Sequence, residues 1–256
     1  MELVLDKVSV AYGGVVAVKD VSVRIPAGRI VALVGPNGSG KSTLIKTIAT
    51  VLKPAEGSIT IDGNDIRRID PMELASRVGY VPQQYTYTLY ATVFETVLLG
   101  RRPHIRWTVS EEELSRVQGA LDMVDMAGSA GKFMDQLSGG ERQKVFIARA
   151  LAQDPALYLF DEPTSALDIR HQLGVMETFR EIAMMRGAAV IVALHDLNLA
   201  FRYADHIVVL DQGRLIRQGK PQEVLTSSCI RNVYGVDIRI VENEFGRFLL
   251  PVRRSS

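Results

Sequence analysis

The chain has 256 residues, 47% of them hydrophobic, which is enough for one well-buried core with a subsidiary lobe and excludes a disordered chain. Its 30 basic and 29 acidic residues leave a formal net charge of +1, which excludes a whole-protein field that would gather nucleic acid or anionic lipid. One cysteine, Cys229, excludes an internal disulfide, four scattered histidines offer no Cys/His cluster for structural zinc, and the longest apolar run, 188–194, falls far short of the ~18 residues of a membrane span. The expectation is a chain of the reducing cytoplasm that starts with no signal peptide and neither spans a membrane nor is secreted.

In chain order, residues 3–25 alternate at Val8, Val10 and Tyr12 and again at Val21, Val23 and Ile25, with Gly13-Gly14 between, which predicts two strands joined across a turn. The apolar run 30–34 predicts a short buried strand. It leads into Gly35-Pro36-Asn37-Gly38-Ser39-Gly40-Lys41-Ser42-Thr43, which satisfies G-x-x-x-x-G-K-[ST]. Glycine suits such a loop because backbone N–H groups must turn inward and approach phosphate oxygens closely. Apolar residues at Leu44, Ile45, Ile48, Val51 and Leu52 predict a helix that packs one face on a sheet and points its positive N-terminus at the phosphates. Lys41 adds a full charge, Ser42 a hydroxyl oxygen suited to Mg²⁺, and Thr43 a bond to another phosphate oxygen.

Lys53-Pro54-Ala55-Glu56-Gly57 stops the helix, and Ile59 and Ile61 alternate up to an Asp62-Gly63 turn, predicting another short strand. An apolar run at 78–81 is broken by Pro82, after which Gln83-Gln84-Tyr85-Thr86-Tyr87 has no period and reads as a hinge. From 92 to 138 the pattern is helical, at Val93, Val97 and Leu98 and then at Leu114, Val117, Leu121 and Val124. Three further apolar runs, 157–160, 188–194 and 207–210, alternate with helical segments, the habit of a sheet covered by helices on both faces. The prediction is a single α/β domain over 1–256, with a helical lobe at about 84–140 inserted in the core and short strands and turns from 213 to 256.

The buried run 157–160 ends in Asp161-Glu162. In open parallel sheets ligands gather at the carboxyl ends of strands, so these acids arrive where the phosphate cradle opens. Asp161 suits indirect Mg²⁺ binding, and Glu162 could orient or deprotonate an attacking water. Alone, two acids after a strand begin a solvated loop; beside a cradle they do more. Leu137-Ser138-Gly139-Gly140-Glu141-Arg142-Gln143 precedes a helix and offers a second set of backbone donors, although Ser-Gly-Gly alone is usually only a cap. Arg101-Arg102-Pro103-His104-Ile105-Arg106-Trp107 mixes basic and aromatic residues, for which a solvated loop is the default over nucleic-acid binding.

Leu-Ser-Gly-Gly-Glu-Arg-Gln at 137–143 resembles the signature sequence of ATP-binding-cassette (ABC) proteins, and the likeness runs over nearly the whole chain. It implies a P-loop ATPase core of ABC type with an N-terminal antiparallel β subdomain, an inserted helical subdomain, and ATP with Mg²⁺ as ligands. By that resemblance Tyr12 takes the place of the aromatic residue that stacks on adenine. Gln83, with Gln84 adjacent as an alternative, takes that of the hinge glutamine that contacts Mg²⁺ and water and senses the transporter. Glu162 is expected to serve hydrolysis, with Asp161 and Ser42 beside Gln83 at the metal. His195 resembles the switch histidine that touches the γ-phosphate. Ser165-Ala166-Leu167-Asp168 looks like the loop coupling two nucleotide sites. Taken alone, Tyr12 would more often be a core aromatic and His195 a satisfied strand-end histidine.

Residues 92–104, 195–200 with 202–205, and 233–237 are most similar to ATPase subunits of bacterial and archaeal importers for ferric siderophores, haem and cobalamin. The resemblance implies a head-to-tail homodimer in which Ser138, Gly139 and Gly140 close the other subunit's cradle. It also implies two separate transmembrane permease subunits, an indirect link to a substrate-binding protein, no nucleic acid, and a place on the cytoplasmic face of the membrane. Molybdate or tungstate importers and exporters are the nearest alternatives. A soluble cassette acting on DNA, ribosomes or iron–sulfur assembly would bring tandem cassettes or extra domains, and a small-molecule kinase or GTPase would not explain 137–143.

Overall fold

The computed structural model describes residues 1–85, 90–105, 107–244 and 246–252, apart from the side chains of Tyr12 and Asn243. The first strands are β1 (Leu3–Tyr12) and β2 (Val15–Ile25), an antiparallel pair turning at Gly13 and Gly14, both at positive φ. After β3 (Ile30–Val34) and α1 (Lys41–Ile48) come β4 (Glu56–Ile61) and β5 (Asn64–Asp65), which extend the first pair into an antiparallel sheet of order β2-β1-β4-β5. Helix α2 (Pro71–Arg77), capped by Asp70 and opened by Pro71, leads to β6 (Val78–Val81).

Three helices follow: α3 (Val93–Leu98), α4 (Glu111–Asp122) and α5 (Gly139–Gln153). Thr92 and Glu95 form a capping box that starts α3, and the lobe's only described strand pairing is an isolated bridge between Thr92 and Phe133. Then β7 (Leu157–Asp161), α6 (Ile169–Arg186), β8 (Ala189–Ala193), α7 (Leu197–Tyr203), β9 (His206–Asp211) and β10 (Arg214–Gly219) alternate. The second sheet has the order β10-β9-β3-β8-β7-β6, parallel except for β10.

Its central strands β3, β7 and β8 are buried on both faces, and the two-residue period divides their side chains between two cores. Ile30, Ala32 and Val34 of β3, Tyr158 and Phe160 of β7, and Val190 and Val192 of β8 join the core shared with α5, α6 and the helical lobe. Val31, Leu33, Leu157, Leu159, Ala189 and Ile191 point the other way, onto α1 and the antiparallel sheet. Helix α1 is therefore clamped between two sheets, which fixes the loop at its N-terminus.

The chain departs from the predicted pattern at two places. Val51 is not on the buried face of α1: the helix stops at Ile48, Thr50 takes a left-handed φ of 58°, and Val51 is 60% exposed. The stretch from 213 is not only strands and turns, because α8 (Pro221–Val224) and α9 (Ser227–Tyr234) precede the hairpin of β11 (Asp237–Asn243) and β12 (Gly246–Val252).

Candidate nucleotide site

The C-terminal ends of β3, β7 and β8 lie side by side, so the residues that follow them, Gly35, Glu162 and His195, gather at one edge of the sheet. A cavity of about 460 Å³ opens there, lined by Ala17, Asn37, Gly38, Ser39, Gly40, Lys41, Ser42, Thr43, Gln83, Glu162 and His195. The loop is shaped by its glycines. A Cβ on Gly35 would lie 2.1 Å from the Leu210 carbonyl oxygen, and Gly40, at φ 100°, would place one 2.7 Å from the Ala17 carbonyl oxygen. Gly40 also precedes α1 with no side-chain cap, which leaves the first-turn N–H groups facing the cavity without a side-chain acceptor.

Lys41 is buried, and its Nζ donates to the carbonyls of Gly35 at 2.8 Å and Pro36 at 3.0 Å. Burial pushes its pKa down, while the carboxylates of Glu162 and then Asp161 hold it up. Ser42 Oγ donates to Asp161 Oδ1 at 2.8 Å. Asp161 is fully buried, its Oδ2 makes no hydrogen bond among the described residues, and burial raises its pKa against the Ser42 bond. A buried carboxylate oxygen left bare beside a serine hydroxyl is a poor structural element and a suitable pair of oxygen donors for a hard cation. No group of three or more His, Cys, Asp and Glu side chains converges among the described residues, so a cation here would add neutral ligands, from Gln83, water and a phosphate chain, to this pair.

Glu162 follows directly, in a left-handed conformation at φ 54° that few non-glycine residues adopt. Its carboxylate accepts from Gln83 Nε2 at 2.6 Å and pairs with His195 Nε2, and Ser165 Oγ donates to its carbonyl at 3.0 Å. Gln83, not Gln84, thus reaches this edge; Gln84 lines a separate hollow with Tyr85, Phe146 and Arg149. The combination can cradle a polyphosphate, hold a cation and present a carboxylate to a water.

The structure does not bring every predicted residue into this cavity. Ser138, Gly139 and Gly140 are absent from its lining. Ser138 caps α5 by a reciprocal box with Glu141, accepting from its N–H at 3.3 Å and donating to Glu141 Oε2 at 2.8 Å. Asp168 also lies outside the lining; it caps α6, accepting from the His171 N–H at 2.9 Å. The side chain of Tyr12 falls outside the described residues, as do Thr86 and Tyr87 of the hinge. Ala17, from β2, lines the cavity without any signal in the sequence: a lone alanine in an alternating strand carries no chemistry to notice.

A family model described as ABC transporter matches residues 18–165. An uncharacterized ABC transporter ATP-binding protein of Methanocaldococcus jannaschii is 44% identical over 240 residues, covering 94% of this chain and 94% of its own. The ferric enterobactin transport ATP-binding protein of Escherichia coli is 38% identical over 242 residues, covering 93% of this chain and 89% of its own. In a solved inward-facing structure of an ABC transporter described as metal-chelate type, one chain superposes with a TM-score of 0.84 at 25% identity, covering 99% of this chain and 98% of that one. With its phosphate cradle, its paired carboxylates and this likeness along almost its full length, the chain belongs to the ABC transporter family, as an ATP-binding, ATP-hydrolysing subunit.

Proposed function

We propose that this chain energises the import of a metal chelate, a ferric siderophore, haem or a cobalamin-like compound. It would sit on the cytoplasmic face of the membrane, attached to two separate transmembrane permease subunits and served indirectly by a substrate-binding protein. The likeness to the enterobactin and metal-chelate systems supports the cargo class. The observation that carries the chemistry is the meeting of Gln83, His195 and Glu162 at the wall that also holds Lys41 and Ser42.

In this reading the backbone N–H groups of Gly35, Pro36-Asn37, Gly38, Ser39 and Gly40, with Lys41 and Thr43, hold the phosphates, proline contributing shape and not a donor. Lys41 exchanges its two carbonyl contacts for phosphate oxygens. Ser42, Asp161 and Gln83 would hold Mg²⁺, whose contribution is to neutralise charge on the phosphate chain. Glu162 orients a water and takes its proton as the water oxygen bonds to the γ-phosphorus and the bond to the ADP oxygen breaks. His195, freed from Glu162, donates to the γ-phosphate, and Tyr12 stacks on adenine.

Because Ser138, Gly139 and Gly140 stand outside their own chain's cavity, they are free to close the cavity of a second copy arranged head to tail, with Asp168 at the seam. A second helix N-terminus then completes the cage only when ATP is present, and nucleotide becomes the glue between subunits. The 1–256 chain would act as one nucleotide-binding domain whose helical lobe, about 84–140, moves against the core. Its surface carries Tyr90, Leu99 and Trp107, exposed by 83%, 58% and 95%, more apolar area than a solvated lobe needs. Permease subunits are expected to dock there.

Purification of the chain from membranes under mild detergent, with mass spectrometry of what accompanies it, tests the assignment. The reading predicts two copies of a hydrophobic permease whose crosslinks map to cysteines introduced at 90, 99 or 107. Crosslinks confined to the β11–β12 face would contradict it.

A further inference from the structure

Helix α7 begins two residues after His195 and is only seven residues long, too short to hold its own orientation in water. What fastens it is therefore what aims His195. On the upstream side the backbone is pinned by the sheet, where the Leu194 N–H donates to the Leu33 carbonyl at 3.0 Å. Downstream, Asp196 caps the helix by accepting from the N–H groups of Asn198 at 2.7 Å and Leu199 at 3.2 Å. Neither contact fixes the direction in which the helix leaves the sheet.

Leu199, Ala200 and Tyr203 pack into the main core and the Tyr203 hydroxyl donates to Glu177 of α6 at 2.9 Å, which holds the later part of the helix, while its first turn is held from the C-terminal hairpin. Asn198 Oδ1 accepts from the Leu249 N–H at 2.8 Å, and Asn198 Nδ2 donates to the Leu249 carbonyl at 3.3 Å. One primary amide thus satisfies both backbone groups of one residue in β12, as a neighbouring strand would. Leu249 is buried in the main core, as are Cys229 and Ile230 of α9, so the hairpin is anchored and not a loose tail. The same segment reaches the phosphate loop: Tyr234 ends α9 with its hydroxyl pushed up by burial, and the Gly35 backbone beside it acts the other way.

We propose that Asn198 is a positioning residue for hydrolysis, clamping α7 to Leu249 so that His195 faces the nucleotide edge and the C-terminal hairpin becomes part of the catalytic framework. This rests on the role given above to His195. Asn198 touches neither nucleotide nor water in this account; it acts through the helix that follows the histidine.

The test compares the full chain with Asn198→Ala, Asn198→Asp, His195→Ala and the double variant His195→Ala/Asn198→Ala, measuring Mg-ATP turnover against concentration together with the thermal transition. Asn198→Ala is expected to lower kcat about tenfold, the scale of losing two positioned hydrogen bonds, with KM changed less than about twofold. Asn198→Asp keeps the acceptor and loses the donor, so its kcat falls between the two; it also serves if the alanine variant folds poorly. The double variant is expected to be no slower than His195→Ala, since a residue acting through His195 has nothing left to position. Wild-type turnover in Asn198→Ala beside an impaired His195→Ala would overturn the clamp, and so would losses that multiply in the double variant. Wild-type turnover in His195→Ala would instead remove the histidine's own role, and the clamp with it.

Discussion

Gln83 Nε2 donates to Glu162 Oε2 at 2.6 Å, which joins a residue just beyond β6 to the residue just beyond β7 in front of the phosphate cradle. The hinge into the helical lobe is thereby tied to the carboxylate that would handle water. Any movement of the lobe that draws Gln83 away changes the surroundings of Glu162. Gln83→Ala removes a hydrogen bond to a charged group, of a kind contributing roughly 1.5–3 kcal/mol. Turnover is expected to fall at least tenfold while ATP affinity in equilibrium binding changes only a few-fold; a variant with unchanged turnover would separate the hinge from the chemistry.

Lys41→Ala deletes the buried ammonium of the cradle. Because burial already works against this charge, little folding stability should be lost, and the thermal transition is expected within about 4 °C of wild type. Nucleotide binding should be lost at concentrations that saturate the wild type. Isothermal titration beside a thermal melt reads both quantities, and wild-type affinity would withdraw Lys41 from the phosphates.

Asp161 gives a pH prediction. Burial raises its folded pKa, so as pH falls the native state takes up this proton before the unfolded chain does. The cost of its charge is absent below the ordinary carboxylate pKa, grows as pH rises from there, and is complete above the folded value. Asp161→Asn is therefore expected to stabilise the nucleotide-free protein at pH 7, with the gain vanishing under acid conditions where both states are protonated. The same variant should lose Mg²⁺-dependent tightening of ATP binding. Thermal melts across pH check the first expectation; a destabilised variant at pH 7 would mean that the carboxylate is structural.

Arg101 belongs to a segment whose composition reads as a solvated loop, yet it is 6% exposed. Its guanidinium pairs with Glu113 of α4 and donates to the Ala152 carbonyl near the end of α5, binding the lobe's helices together. Removing one partner of a buried pair typically costs about 3–5 kcal/mol. Arg101→Ala should lower the denaturation midpoint accordingly, and a change below 1 kcal/mol would show that the pair relaxes into water.

The phosphate cradle was legible because its chemistry demands fixed residue types at fixed spacing, and the buried strands were legible because both faces are apolar. Gln83 and Gln84 could not be separated by composition, since only side-chain direction distinguishes adjacent identical residues, and that is set by where β6 ends. The burial of Arg101 is not legible, because charge pattern reports solvation on average and cannot reveal a partner twelve residues away. The end of α1 is hidden in the sequence because Val51 fits the helical period, whereas the left-handed Thr50 that ends the pattern carries no mark in its type. Helix α9 buries only Cys229 and Ile230, too short a stripe to stand out among turns. The Asn198 clamp depends on the backbone of a distant strand and leaves no trace in spacing at all.

If Glu162 serves hydrolysis while nucleotide binding and dimer closure depend on other groups, one substitution should part the two. Glu162→Gln separates these roles, because glutamine keeps the shape and one acceptor oxygen, turns the other into an NH₂ donor, and cannot take the water's proton. Mg-ATP turnover and molecular mass by light scattering should be read on the same sample, with Ser138→Arg added as a second variant. Turnover is expected to fall by on the order of 10² to 10⁴, with an ATP-dependent dimer that accumulates and is lost when Ser138→Arg is added. Wild-type turnover in Glu162→Gln, or a normal dimer in the double variant, would contradict this division of roles.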